Sequence, residues 1–418
     1  DASLGNTVLS SDGVCRTVNA IAPKANLDLG RIGGDAVYYG TIKAKGYLDN
    51  LSSSINLNEG IYGGTAEINA SVTNILDTTA QMRVSGRIAT EKFNLGRLLG
   101  QEKLGEVTAS AKVAATVPRN GAELSADADS LNVSALQFND YRYSNITGTA
   151  SIQGQDLTVD IEAKDTALDA DITVWSDKYA YSGAILIRKA DLNAMNFDKR
   201  GRSDIAANVY ARLDKDLKNI QGNADISGII LANDDGIHRV GDITLNVEKD
   251  KGEYDVILDS KAAKGTFKGN KDHMTADFHA LDAASLLAYV MPGLYVEQGT
   301  TASFQKDTTG YMTGAVSSGR LAYNDNYVKD LKASIEGTLD DMSGTMTSSQ
   351  IYAARVELDS NAVTAYKKDS LIHVNYNFNN TDQAAQRKFG GSDISADITL
   401  RGKKNFIIDI LPSRLNAD

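Results

Sequence analysis

Apolar and polar residues alternate with period two through most of this chain. Val107, Ala109, Ala111, Val113, Ala115 and Val117 share one face of an extended run, while Thr108, Ser110, Lys112 and Thr116 share the other. The same arrangement returns at Ile205, Ala207, Val209, Ala211 and Leu213, and again at Ile243, Leu245 and Val247. It returns once more at Leu331, Ala333, Ile335 and Leu339, and then at Ile394, Ile398 and Leu400. Strand side chains point alternately to opposite faces, so each run predicts a strand buried on one side. Parallel sheets sandwiched by helices are apolar on both faces. One-sided runs therefore predict an antiparallel sheet with one wet face. Gln153-Gly154, Asp235-Gly236, Lys251-Gly252, Asn120-Gly121 and Gly390-Gly391 read as hairpin turns between runs, because glycine reaches positive φ without strain.

A much longer period overlies the alternation. Phe93-Asn-Leu-Gly-Arg-Leu-Leu99, Ala190-Asp-Leu-Asn-Ala-Met195 and Leu281-Asp-Ala-Ala-Ser-Leu-Leu287 are similar segments spaced about 90 to 97 residues apart. Their Asx positions, Asn94, Asp191 and Asp282, are placed to cap a backbone N–H of a following turn. Asp282 to Met291, stopped by Pro292-Gly293, is the clearest short helix. A turn of Phe138-Asn-Asp140 type recurs as Tyr323-Asn-Asp325. A period of this length predicts one supersecondary unit stacked several times. The units run 1–90 (partial), 91–188, 189–279, 280–369 and 370–418 (partial), one continuous array with short helices between repeats.

Composition agrees with an array. The chain has 418 residues but only four prolines and no Pro- or Ser-rich linker. Its net charge of −11 argues against nucleic acid as a partner. The densest basic patch, Lys199-Arg-Gly-Arg202, reads as a solvated turn. The lone Cys15 excludes an intrachain disulfide. No apolar run approaches the length of a transmembrane helix. Both termini break into strand-like pattern, so the chain reads as a piece excised from a longer protein.

Catalytic chemistry is sparse. His273 and His279 flank Asp277 at a spacing too loose to specify a metal site. Cys15 has no nearby histidine, and the hydrolase, zinc-protease and phosphate-loop motifs are missing. Asp160 and Glu162 alternate with Val159 and Ile161, which places them on the wet side of a strand. Trp175 reads as core or rim. The chain is therefore read as neither an enzyme nor a metal or cofactor protein. The apolar face itself remains. Either two such faces close as a sandwich core, or the sheet curls and leaves a lengthwise apolar groove for a guest such as an acyl chain.

The phrases Phe93-Asn-Leu-Gly-Arg-Leu-Leu-Gly-Gln-Glu-Lys-Leu-Gly105 and Phe138-Asn-Asp-Tyr-Arg-Tyr-Ser-Asn-Ile-Thr-Gly148 resemble the large TamB/AsmA-like envelope proteins, particularly their Bacteroidetes members. The resemblance implies a mainly β fold: an elongated, curled antiparallel sheet, taco- or groove-shaped, with an apolar inside. It implies a periplasmic segment of a protein anchored in the inner membrane of a diderm bacterium. It implies phospholipid or fatty acyl chains as partners, and contact with an outer-membrane assembly protein through regions outside this chain. The residues lining the groove would be the one-sided runs above. The competing expectation is a structural β-sandwich or stalk that mediates protein contacts.

Overall fold

A computed structural model describes residues 2–10, 37–47, 49–60, 63–77, 79–117, 123–216, 218–400 and 405–417. Cys15, Gly33-Gly34, Tyr62 and the Asn120-Gly121 turn lie outside the described residues. Strand residues make up 72% and helical residues 4%, so the fold class is mainly β. The chain forms two compact units, Asp1–Leu217 and Lys218–Asp418.

The first unit holds β1 (Ala2–Ser10), β2 (Val37–Tyr47), β3 (Asn50–Asn58), β4 (Thr65–Thr73) and β5 (Met82–Asn94). A short helix, α1 (Leu95–Leu99), precedes β6 (Leu104–Val117), β7 (Ser125–Phe138), β8 (Tyr141–Tyr143) and β9 (Ile146–Gln153). Then come β10 (Asp156–Lys164), β11 (Leu168–Ser176), β12 (Ala180–Ala190) and β13 (Ser203–Asp214). Each strand pairs antiparallel with its chain neighbour, except that β8 and β9 lie end to end along β7.

The second unit repeats this meander. It contains β14 (Ile220–Asn233), β15 (Gly236–Asp250), β16 (Glu253–Ser260), β17 (Ala263–Gly269) and β18 (Met274–Ala280). The helix α2 (Ala284–Val290) leads into β19 (Leu294–Val296) and β20 (Thr301–Lys306), which lie end to end along β21 (Met312–Tyr323). The meander continues through β22 (Asn326–Gly337), β23 (Asp341–Ala353), β24 (Val356–Lys368) and β25 (Leu371–Asn379). A 3-10 helix (Thr381–Gln386) precedes β26 (Phe389–Leu400), along which β27 (Phe406–Ile410) and β28 (Arg414–Ala417) both pair. The strands belong to one large antiparallel sheet, and among the described residues no pairing joins the first strand of either unit to its last, so it does not close into a barrel.

Alternate strands of a meander run the same way. In the first unit α1 and the Asp191 turn, which follow β5 and β12, therefore stand at one edge of the sheet. In the second, α2 and the 3-10 helix, after β18 and β25, likewise share one edge. This insert edge is where large side chains are buried. Tyr38 stacks on Phe93 with ring centroids 5.1 Å apart, and Ala66, Leu57, Leu98 and Val107 pack around the pair. Tyr143, Ala167, Ala190 and Met195 make the next cluster, and Tyr289 on α2 is 1% exposed.

The caps explain why the helices form. The Asn94 side chain accepts from the Arg97 N–H at 2.9 Å, and Gly100 ends the helix in the left-handed region at φ 69°. The Asp191 carboxylate accepts from the N–H groups of Asn193, Ala194 and Ser203. It rounds off a turn and no helix, because Ser203 draws the chain straight back into β13. Asp282 does not cap: Ala283 holds the N-cap position of α2, which begins at Ala284 without a side-chain cap. Lys251 and Gly252, with φ 50° and 92°, form the expected two-residue hairpin; the other two turns sit one residue from the expected places, at Gly154-Gln155 and at Asp234-Asp235, with Gly236 opening β15 at φ 133°. Gly390-Gly391 is different. It lies inside β26, at the register shift opposite β28, because glycine suits a bulge as well as a turn.

Candidate functional site

Directly opposed residues on neighbouring strands share a face, so the registers turn one-sided strands into continuous rows. In the first unit one row runs Ala44, Ser53, Ala70, Gly86, Val113, Ala128, Ala150, Val159, Val174, Gly183, Ala211. A second runs Leu51, Val72, Val84, Ala115, Ala126, Ile152, Leu157, Ser176, Tyr181, Leu213. Ile161, Ile172, Ile185 and Val209 form a third across four strands. In the second unit a row runs Ala224, Leu245, Leu258, Gly265, Phe278, Ala302, Val316, Ala333, Met346, Val363, Tyr376, Ile394. Beside it lie Gly222, Val247, Val256, Phe267, Ala276, Phe304, Gly314, Ile335, Gly344, Ala365, Val374, Ala396 and Ile410.

The opposite face is polar. Its row through the second unit reads Asn223, Asn246, Ile257, Thr266, Asp277, Ser303, Ala315, Ser334, Thr345, Thr364, Asn375, Ser395. Burial follows the same alternation: in β10, Leu157, Val159 and Ile161 are half-buried, while Thr158, Asp160 and Glu162 are exposed.

Ten of the twenty-one expected lining residues fall on these rows, and the burial of most of the twenty-one is intermediate. Ala109, Ala111, Val113, Ala115 and Val117 are half-buried on β6. Ile205, Val209, Ala211 and Leu213 are half-buried on β13, where Ala207 is buried. Ile243, Leu245 and Val247 on β15, Leu331 and Ala333 on β22, and Ile394 and Ile398 on β26 are half-buried too. Ile335 and Leu400 are exposed, at 41% and 38%. Val107 turns instead into the Tyr38–Phe93 cluster. Ile205 pairs with Ala190 at the insert edge. Leu339 lies outside β22 and is 71% exposed, because Gly337 at φ 127° ends the strand before it.

Among the described residues, Val133, Ile229, Leu231 and Val240 are the only Val, Ile or Leu side chains that are fully buried. A face-packed sandwich core would bury many more. These apolar faces shed part of their water without being sealed.

Three lysines were not singled out from sequence. One row at the hairpin edge of the second unit reads Ile220, Lys249, Tyr254, Gly269, Met274, Lys306, Met312, Gly337, Met342, Lys367, Ile372, Ile398, Ile408. Lys249, Lys306 and Lys367 are half-buried on the apolar side. The signal was available: each follows an apolar position by two residues, at Val247, Phe304 and Ala365.

Asn-led turns latch the strand ends to the inserts. Asn139 donates to the Asn196 carbonyl at 2.9 Å, and Asn196 donates back to the Asn139 carbonyl at 3.0 Å. Asn233 donates to the Ala288 carbonyl on α2 at 3.2 Å, and the Asn324 N–H donates to the Gly293 carbonyl at 2.8 Å. Asn380, 1% exposed, donates to the carbonyls of Glu357 and Phe389 and accepts from the Asp359 N–H. It heads a fourth insert that the repeat comparison missed, because polar Thr381-Asp-Gln383 replaces the apolar motif.

Beside the second cluster, burial would raise the Asp165 carboxyl. Hydrogen bonds from Tyr141, the Ala167 N–H and both Ser144 donors outweigh burial and hold it below the usual carboxylate range. The converse acts on Tyr141, whose hydroxyl is raised by burial and by its bond to that carboxylate.

Other groups considered from sequence do not converge. His273 pairs with Glu253 at 3.1 Å, whereas His279 is exposed on the polar face. Trp175 stands on the polar side of β11, 36% exposed and beside Tyr210, instead of in a core. A depression of about 480 Å³ on the second unit takes its lining mainly from polar-face positions such as Lys264, Asp277, His279 and Lys332. Lys264 there pairs with Asp259 at 3.3 Å. No group of three metal-ligating side chains occurs among the described residues. No helix among them is long and apolar enough to cross a membrane.

Comparison with protein-family models, with curated proteins and with solved structures gives no match for this chain.

Proposed function

We propose that this chain is a non-enzymatic segment of a periplasmic, TamB/AsmA-like protein, and that its apolar rows shield acyl chains from water. In this reading the interval between inserts, six strands wide with the end-to-end pairs β8/β9 and β19/β20 each counted once, is the repeat, and the apolar faces form the wall of a groove. Lipid would pass along that wall between the inner and outer membranes, and regions outside the chain would meet the outer-membrane assembly protein.

The observation that carries the reading is the pair of continuous apolar rows, spanning eleven strands of the first unit and thirteen of the second and half-buried except at Ile335 and Ile410. Small residues, such as Ala44, Ala70, Gly86, Ala128 and Ala150 in the first row, leave depth for a guest. An acyl chain laid there stays out of water at roughly 0.8 kcal/mol per buried methylene. The charged side chains of the opposite face keep that face wet.

Delipidated protein is expected to enhance the emission of a fluorescent long-chain fatty acid saturably. Ile172→Asp and Phe304→Asp, which put charge into the rows, are expected to weaken that binding. A chain that binds neither fatty acid nor phospholipid would overturn the proposal.

A further inference from the structure

On the apolar rows of the second unit the charged residues are Lys249, Lys306 and Lys367, all in the one row nearest the hairpin edge. No acid lies on those rows, although the chain as a whole carries a net charge of −11. The corresponding rows of the first unit hold no charged residue at all. At the same level, the opposite face of the second unit carries Glu248, Asp255, Glu336, Asp397 and Asp409, with Lys268 paired to Asp255 at 2.8 Å. The charge on these apolar rows is thus cationic alone, whereas the opposite face mixes both signs.

Two of these ammonium groups are fixed by backbone. Lys306 Nζ donates to the Lys271 carbonyl at 2.6 Å, and Lys367 Nζ donates to the Leu339 carbonyl. An ammonium has three donors, so each retains capacity for a further acceptor. Their apolar stems lie beside Met274, Met312 and Met342, whose flexible thioethers adapt to irregular guests.

From this arrangement we infer that the second unit selects anionic amphiphiles. A carboxylate or phosphate headgroup meets Lys306 or, four strands further along the same row, Lys367, and its acyl chain lies inward over the neighbouring apolar row, at Phe304 from the first lysine and at Ala365 from the second. The inference rests on the acyl-chain reading above and adds headgroup charge and polarity to it. The full-length chain should be titrated with a pyrene-labelled long-chain fatty acid and with the matching pyrene-labelled alcohol. Lys306→Gln and Lys367→Gln should each weaken acid binding roughly two- to fivefold, the range of a partly exposed ion pair, and leave alcohol binding unchanged. For the unaltered chain, added salt should weaken the acid and not the alcohol, a readout that does not depend on the variants folding. Preference for phosphatidylglycerol over phosphatidylcholine vesicles would extend the selection to a net-anionic phosphate headgroup, and equal binding of the two would confine it to the carboxylate. Equal affinity for acid and alcohol, insensitive to salt, would overturn the headgroup site and leave the acyl-chain reading standing. Binding of neither probe would overturn both.

Discussion

Replacing Ile172 with Asp tests whether the apolar rows stabilise the fold. Ile172 is half-buried, with Ile161 and Ile185 directly opposite it on the two flanking strands. Full burial of an isoleucine side chain is worth about 1.5–3 kcal/mol, so a half-buried one forfeits about 1 kcal/mol or slightly more. A carboxylate held between two isoleucines adds about 1–3 kcal/mol of incompletely compensated desolvation. Together these give about 3 kcal/mol, or roughly 6–12 °C in the melting temperature of a unit this size. Val113→Asp should cost less, about 1–2 kcal/mol, since Gly86 and Ala128 opposite it leave the carboxylate a path to water. Thr158→Asp, on the exposed face of β10, should stay within about 0.5 kcal/mol of the unaltered chain. Urea unfolding followed by circular dichroism measures all three. An Ile172→Asp chain as stable as the Thr158→Asp chain would refute the assignment of faces.

Three further outcomes concern the insert edge. Asp165→Asn should destabilise the first unit at neutral pH. The native carboxyl titrates below the unfolded one, so its contribution is complete above the unfolded value and is lost as pH falls through the folded value. The stability gap between the two chains should therefore close on acidification, as a pH series of thermal melts would record. Asn94→Ala removes the cap of α1 and should cost about 1 kcal/mol, read by chemical denaturation. Arg387 is 13% exposed and spans Glu357 and Asp359, so Arg387→Ala leaves two carboxylates facing each other. A loss of about 2–3 kcal/mol is expected, and added salt should restore part of it.

Much of this architecture was legible because a strand writes its faces into a period of two. The runs at 107–117, 205–213 and 243–247 became strands, with Val107 and Ile205 drawn to the insert edge. The Asn-Asp turns were visible as recurring dipeptides, although their role as latches appears only when Asn139 meets Asn196. Pairing was not legible. The run ending at Leu339 stopped early because a glycine in the left-handed region turned the chain. Gly390-Gly391 could be a turn or a bulge, and only its partner β28 decides. Trp175, read as core or rim, follows Val174, so its parity already set it on the wet side, and at 36% exposed it is not a core residue. The lysine row emerged only through register, because one sequence cannot say that positions 249, 306 and 367 stand in line.

The central claim is that the apolar rows hold acyl chains. Native mass spectrometry of the chain purified without detergent tests it most directly. The expected spectrum shows protein with added mass that fragments to phospholipid or fatty acid, diminished in the Phe304→Asp chain. A spectrum of bare protein alone, together with no uptake of added fatty acid, would contradict it.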